Sequence, residues 1–234
     1  MILAIIQARM GSTRLPAKAL KEIAGIPSLE HVIRRVKQAK MLDRVILATT
    51  MKAEDGELTK LADANDISWY RGEEDDVLAR FSGSAMRVPV DYIIRITGDC
   101  IFLDPFWIDL TCEYLIQYDP KELVYIHNIE PRRLPDGLDV EGFTFGALLA
   151  AHRNCDNAYD REHVCHWMMD NCKTVSLSED LMDMSHHRWV LDTEADYEFF
   201  TAVAEHLDCT PPYPTVPDLQ NFLAEHPEIM EINQ

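Results

Sequence analysis

The segment Gln7-Ala-Arg-Met-Gly-Ser-Thr-Arg-Leu-Pro-Ala-Lys18 puts three cations, Arg9, Arg14 and Lys18, within ten residues. Gly11 permits a tight turn and a close backbone approach to a ligand. Ser12 and Thr13 add hydroxyls and N–H donors, and successive N–H groups in such a turn form an anion-binding nest. A nest beside three positive charges suits a triphosphate. It also suits a departing pyrophosphate, whose charge grows in the transition state. The bland alternative is a solvated basic loop at a strand end. That alternative sits poorly with a formal charge of −18, from 22 basic and 40 acidic residues. Neither Gly-x-x-x-x-Gly-Lys-[Ser/Thr] nor Gly-x-Gly-x-x-Gly occurs, so the two common nucleotide fingerprints are excluded.

Carboxylates supply the second half of such chemistry. Asp99 follows a strong apolar run, with Asp104 five residues on. Mg²⁺ prefers carboxylates together with phosphate oxygens, so Asp99 at a strand end is a candidate metal ligand. Asp136, Asp139 and Glu141 crowd a turn-rich loop, where Asp139 and Glu141 are candidates to accept hydrogen bonds from acceptor hydroxyls. A solvated acidic loop is the other reading. Arg161 and Arg188 are candidates to pair with an acidic group on the acceptor. Asp76 and Arg80 stand four apart on an expected helix and suit an ion pair. His163 and His166 have a zinc-compatible spacing, but His-Glu-x-x-His is absent and structural histidines are commoner.

The elements that must position these residues follow from periodicity. Leu3–Ala8, Arg44–Thr49, Ile67–Tyr70, Tyr92–Thr97 and Leu123–Ile126 read as strands. Ser28–Ala39, Glu57–Ala64, Asp76–Met86 and Pro105–Gln117 read as helices between them. This alternation predicts an α/β fold around a mostly parallel sheet. Ligands in such sheets bind beyond the carboxyl ends of the strands, which directs attention to the loops Arg9–Lys18 and Thr97–Asp104. After Glu130 the pattern changes. Phe143–His152 and Arg161–Asn171 read as helices, Lys173–Leu177 and Arg188–Leu191 as strands, and Ala195–His206 as a helix. A Pro-rich stretch from Thr210 precedes a short helix at Asp218–His226. The expected organisation is one domain over 1–234, with 1–129 binding nucleotide and 130–234 binding the acceptor.

The 234 residues suffice for a sizeable core. The acidic balance argues against nucleic acid and anionic membranes as partners. No stretch approaches a membrane span, and the start lacks the basic region of a signal peptide. Six cysteines without a Cys-x-x-Cys pair read as free thiols in a reducing cytoplasm.

The opening loop resembles the signature loop of the cytidylyltransferase family that includes the 3-deoxy-manno-octulosonate and acylneuraminate enzymes. It is most similar to the branch named for spore coat polysaccharide biosynthesis protein F. The likeness continues in order through Asp75-Asp-Val-Leu-Ala-Arg-Phe81, Ile96-Thr-Gly-Asp-Cys100, Asp136-Gly-Leu-Asp-Val-Glu141, Arg161-Glu-His163 and Trp189-Val-Leu-Asp-Thr-Glu194. Ala17 departs from the pattern, which carries Gly before the Lys.

The resemblance implies a Rossmann-like nucleotidyltransferase fold of the nucleotide-diphospho-sugar transferase type. It implies a Mg²⁺-dependent transfer of CMP from CTP to an acidic sugar-like acceptor, with release of pyrophosphate. Ala8, Arg9, Gly11, Ser12, Thr13, Arg14 and Lys18 would then hold the nucleotide, with Lys18, Arg14 and Asp99 catalytic. Arg80 would face the phosphates or the acceptor, and Thr97 the base. Asp192, in Asp192-Thr-Glu-Ala-Asp196, matches a second metal-binding Asp, although Asp192 or Thr193 equally suits a helix cap. Relatives are often homodimers. The rival expectations are a glycosyltransferase of similar fold, which would use an Asp-x-Asp motif absent from Thr97–Asp104, and a nucleotide-binding protein without turnover.

Overall fold

The computed structural model describes residues 1–209 and 213–233; residues 210–212, where the Pro-rich stretch begins, lie outside them. Strand β1 (Ile2–Gln7) is central to the architecture. Ala4 and Ile6 pack into one apolar cluster and Leu3 and Ile5 into another. Alternate residues of a strand point to opposite faces, so a continuous apolar run is what a doubly covered strand requires.

A two-stranded hairpin, β2 (Glu22–Ile23) and β3 (Ile26–Pro27), leads into helix α1 (Ser28–Val36). Then come β4 (Arg44–Thr50), α2 (Gly56–Ala64), β5 (Ser68–Gly72), α3 (Val77–Ala85), β6 (Tyr92–Thr97) and α4 (Pro105–Leu115). The second half adds β7 (Val124–His127), β8 (Glu141–Thr144), α5 (Phe145–Asn154), α6 (Ala158–His163), α7 (His166–Asn171) and β9 (Lys173–Ser176). It ends with α8 (Glu194–His206), α9 (Val216–Glu225) and α10 (Pro227–Met230). Among the described residues no helix is long and apolar enough to cross a membrane.

The large sheet has seven strands in the order β5-β4-β1-β6-β8-β7-β9. Pairs β5–β4, β4–β1, β1–β6 and β7–β9 are parallel, whereas β8 runs antiparallel to both β6 and β7. The chain moves outward from β1 through β4 to β5, then returns to β6 on β1's other side. The strand order thus reverses between β1 and β6, where parallel sheets open a crevice for ligands. Gln7 is in register with Thr97, so the loops that follow these two residues leave the sheet side by side.

Three expectations are corrected. Phe143–His152 is not one helix: Glu141–Thr144 is strand β8, wedged between β6 and β7. The Thr144 hydroxyl accepts from the amide of Ala147, so it caps a helix that starts at Phe145. Arg161–Asn171 is two short helices. Val164 takes φ 53°, where a β-branched residue is strongly disfavoured, and Cys165 N–H donates to His163 C=O across it at 2.5 Å, closing a γ-turn. Arg188–Leu191 is not a strand. Among the described residues it makes a single bridge, Asp136 to Arg188, and Leu191 N–H bonds to Asp99 C=O in the loop after β6 instead of to a strand.

Candidate functional site

The loop after β1 is held from both sides. Met10 N–H donates to the buried Asp55 carboxylate at 2.6 Å, and the Thr50 hydroxyl donates to the same carboxylate. Ser12 N–H turns back to Met10 C=O at 2.8 Å, and Leu15 N–H donates to the Ser12 hydroxyl at 3.2 Å. Ala17 sits at φ 56° and ψ 26°, the left-handed region. This explains why Gly suits the position in the related pattern: the extra methyl strains the turn without undoing it. The Ser28 hydroxyl then donates to Lys18 C=O at 2.5 Å.

The loop after β6 comes within contact of the first. Gly98 N–H donates to Gln7 C=O at 2.9 Å, and a Cβ at Gly98 would lie 2.9 Å from both Gln7 O and Ala8 Cβ. Only glycine lets the two loops approach this closely. Asp99 is therefore placed beside Lys18, and Lys18 Nζ donates to Asp99 Oδ2 at 2.8 Å.

Asp192 reaches the same point from 174 residues away in the chain, accepting from Lys18 Nζ on Oδ1 at 3.0 Å. Its segment is tied down by Leu191 N–H to Asp99 C=O at 3.0 Å and by Trp189 N–H to Asp136 C=O at 2.6 Å. Gly137, at φ 109°, makes room: a Cβ there would lie 2.1 Å from Trp189 O. Arg14 also pairs with Asp192. Burial works against the charge on Lys18, but Asp99 and Asp192 together raise its pKa above the ordinary value. The ammonium stays charged.

Asp192 does not cap α8. Thr193 does, through a capping box with Asp196. Asp196 is fully buried. It accepts from Arg188 Nε at 2.8 Å, Thr193 N–H at 2.8 Å and Asp192 N–H at 3.0 Å. Burial pushes its pKa up, while Arg188, Asn233 and Thr193 pull it further down, so it remains ionised. Asp196 is thus the anchor beneath Asp192 rather than a bystander in the helix.

The site opens into a cavity of about 610 Å³ at the sheet's reversal point. Ala8, Arg9, Gly11, Ser12, Thr13, Arg14, Lys18, Arg80, Thr97, Asp99, Arg188 and Asp192 all line it. Arg80 is buried and gives one terminal nitrogen to the carbonyls of Glu73 and Glu74, the latter at 2.6 Å. Its Nε has no partner among the described residues. Burial and the nearby Arg9 both lower the Arg80 pKa. The expected Asp76–Arg80 ion pair is not formed. Asp76 instead caps α3 through Ala79 N–H and pairs with Arg161.

Three acceptor-side expectations do not hold in place. Glu141 is buried in β8, accepting from Arg95 and, at 2.5 Å, from the Tyr125 hydroxyl. Burial alone would raise Glu141, but Arg95, Tyr125 and Cys165 hold it below the usual carboxylate range. Asp139 forms a two-pronged pair with Arg132 at 2.9 and 3.0 Å. Arg161 donates to Asp76 at 2.7 Å and to Cys155 C=O at 2.9 Å, riveting α6 to α3. None of the three lines the cavity. Arg188 does, while also pairing with Asp196 and Asp136.

The cavity wall in that region is made instead by Asp136, Glu162 and His163. His163 packs against Tyr159 with ring centroids 4.2 Å apart and ring planes tilted by 51°. The cavity also includes Glu74 and Arg95, which sequence reasoning did not single out. Arg95 carries a legible signal: a charge inside the apolar run Ile93–Ile96 demands a buried partner. Glu74 follows the carboxyl end of β5 and bridges Arg9 and Lys52, at 3.2 and 2.6 Å.

Comparison with known proteins gives one consistent picture. A family model described as Cytidylyltransferase matches residues 3–230. An uncharacterized protein of Methanocaldococcus jannaschii is 32% identical over 236 residues, covering 99% of this chain and 94% of that protein. The spore coat polysaccharide biosynthesis protein SpsF of Bacillus subtilis is 30% identical over 213 residues, covering 86% and 85%. A solved structure described as a cytidylyltransferase from Leptospira borgpetersenii superposes with a TM-score of 0.91 at 29% identity, covering 100% of this chain and 97% of that one.

Proposed function

As the chain belongs to the cytidylyltransferase family and is a nucleotidyltransferase, we propose that it transfers CMP from CTP to an acidic sugar used in surface polysaccharide synthesis, with Mg²⁺ as its cation. The observation that carries this reading is the convergence of Asp99 and Asp192 on one ammonium beside a cationic loop. The Lys18 ammonium acts as a stand-in ion: two carboxylates from distant loops point at one position that a cation fits. Among the described residues no third His, Cys, Asp or Glu joins them. That suits Mg²⁺, which takes few protein carboxylates and completes its shell with phosphate oxygens and water. When bound, Mg²⁺ supplies positive charge against the phosphate oxygens.

The protein's own groups do the rest. The N–H groups of Gly11 and Thr13, with Arg9, Arg14 and Arg80, hold the triphosphate. The unpartnered Arg80 Nε and the cation-rich wall support an anion at this place. Thr97 lies where the base or ribose would pass. Asp136, Glu162, His163 and Arg188 face the acceptor. An acceptor oxygen attacks the α-phosphorus, the α–β anhydride bond breaks, and pyrophosphate leaves toward the cationic loop. The hydroxyl proton passes to solvent. Positioning and charge stabilisation account for most of the rate, as in other phosphoryl transfers.

Pyrophosphate release tests this, with each of the four nucleoside triphosphates, Mg²⁺ and a panel of acidic sugars. Turnover is expected with CTP. Asp99→Ala is expected to lose on the order of 3 kcal/mol of transition-state stabilisation, roughly a hundredfold in rate. Full activity in that variant sinks the assignment of Asp99, and CTP binding without turnover across the panel sinks the reaction.

A further inference from the structure

We infer that Lys18 is the resident counter-cation of the Asp99–Asp192 pair and keeps the divalent-cation site closed until a nucleoside triphosphate draws the ammonium away. The inference rests on the nucleotidyltransferase reading above and adds an order of events to it.

The ammonium is seated rather than passing. Nζ lies 2.8 Å from Asp99 Oδ2 and 3.0 Å from Asp192 Oδ1, and only 17% of the side chain is exposed. A small hard cation bonds to carboxylate oxygens at about 2.0–2.1 Å. It cannot use these two oxygens while Nζ stands between them. One of the two positive charges must go.

The backbone of Lys18 is not free to yield. Its N–H donates to Leu15 C=O at 3.2 Å, and its C=O accepts from Lys21 N–H at 3.2 Å and the Ser28 hydroxyl at 2.5 Å. Release is therefore a swing of the flexible four-carbon stem, a motion lysine makes easily. A destination lies in the same cavity. Lys18, Arg14 and the Gly11–Thr13 turn line one wall, and a bound triphosphate offers the ammonium more negative charge than two carboxylates.

The two carboxylates differ in what remains. Asp192 still has Arg188, at 4.0 Å, once Arg14 turns to the phosphates. Asp99 has no other ion-pair partner among the described residues. Loss of Lys18 to the phosphates thus leaves Asp99 uncompensated and ready for a cation. Nucleotide and cation then favour each other's binding, and such coupling is reciprocal.

The test uses Mn²⁺ alone as the probe, with free Mn²⁺ read by electron paramagnetic resonance and no nucleotide present. Lys18→Met is expected to bind Mn²⁺ at least tenfold more tightly than wild type, and Lys18→Gln to behave likewise. Adding Asp99→Asn to Lys18→Met is expected to abolish the gain. Equal affinity of wild type and the Lys18 variants overturns the inference. Should neither variant fold, wild type decides alone. Tight Mn²⁺ binding without nucleotide, removed by Asp99→Asn, overturns the inference; its absence supports it. Calorimetry of CTP binding to wild type in chelator probes the underlying reading separately. A protein that binds no CTP sinks that reading, whatever the Mn²⁺ result.

Discussion

Replacing Asp196 with alanine removes the acceptor on which the Asp192 segment is built. The carboxylate accepts from Arg188 through Nε and a terminal nitrogen, at 2.8 and 3.0 Å. It accepts from Thr193 N–H at 2.8 Å, Thr193 Oγ1 at 2.9 Å, Asp192 N–H at 3.0 Å and Asn233 Nδ2 at 3.0 Å. Breaking a buried ion pair costs about 3–5 kcal/mol when the surviving charge is stranded. Here Arg188 is not stranded: its side chain is 34% exposed and keeps Asp136 at 3.1 Å. Solvent and that second carboxylate reduce the loss to about 2 kcal/mol, the range of a charged hydrogen bond. The lost capping box adds about 1 kcal/mol, and the lost Asn233 hydrogen bond about 1 kcal/mol more, although its Nδ2 keeps Arg188 C=O at 2.9 Å. The sum is about 4 kcal/mol. For a chain of this size each kcal/mol shifts Tm by about 2–4 °C, so Asp196→Ala is expected to melt about 10 °C below wild type. Asp196→Asn keeps one oxygen acceptor and the side chain's size, and is expected to lose about half as much. Thermal melts followed by circular dichroism measure both. An Asp196→Ala melt within about 2 °C of wild type refutes the view that this carboxylate anchors the segment.

Two further outcomes follow from local chemistry. Ala17 holds a left-handed conformation that costs a non-glycine residue about 1–2 kcal/mol. Ala17→Gly removes that strain, partly offset by about 0.5–1 kcal/mol of added chain entropy; a rise in Tm of up to about 6 °C is expected, whereas a clear fall in a melting assay contradicts the strain. His31 and His127 are buried, and burial lowers the folded pKa of each below the ordinary 6.5. The unfolded chain therefore takes up these protons first as pH falls. Their contribution to stability is complete above about pH 6.5 and lost as pH drops through that value toward the folded pKa. Tm is expected to be lower at about pH 5.5 than at about pH 7.5, and an unchanged or higher value at the acid pH rules out this contribution.

The α/β alternation is legible because each strand and helix carries its own period, and period depends only on neighbouring residues. The Arg9–Lys18 loop is legible for the same reason. Its cations, its Gly11 and its strand exit all sit within one short segment, so no distant partner is needed to give it meaning. Asp99 is legible through its place after a buried strand. The limits begin where a charge's role depends on what meets it across the fold. Arg161 looks outward in sequence but meets Asp76, 85 positions away, and Glu141 meets Arg95, 46 positions away. Such pairings decide whether a charged side chain faces a cavity or is spent inside the protein. Strand β8 escapes notice because Glu141-Gly-Phe-Thr has little pattern of its own and becomes a strand only between β6 and β7. The helix expected over Arg161–Asn171 breaks at Val164, a residue without turn chemistry, because the packed fold imposes a conformation its local preference resists. Local pattern alone makes the parallel half of the sheet, the cationic loop and Asp99 readable. That Asp99 and Asp192 close on Lys18, and that Asp196 holds Asp192 in place, appears in the folded chain alone, since a charge finds its partner through space rather than along the chain.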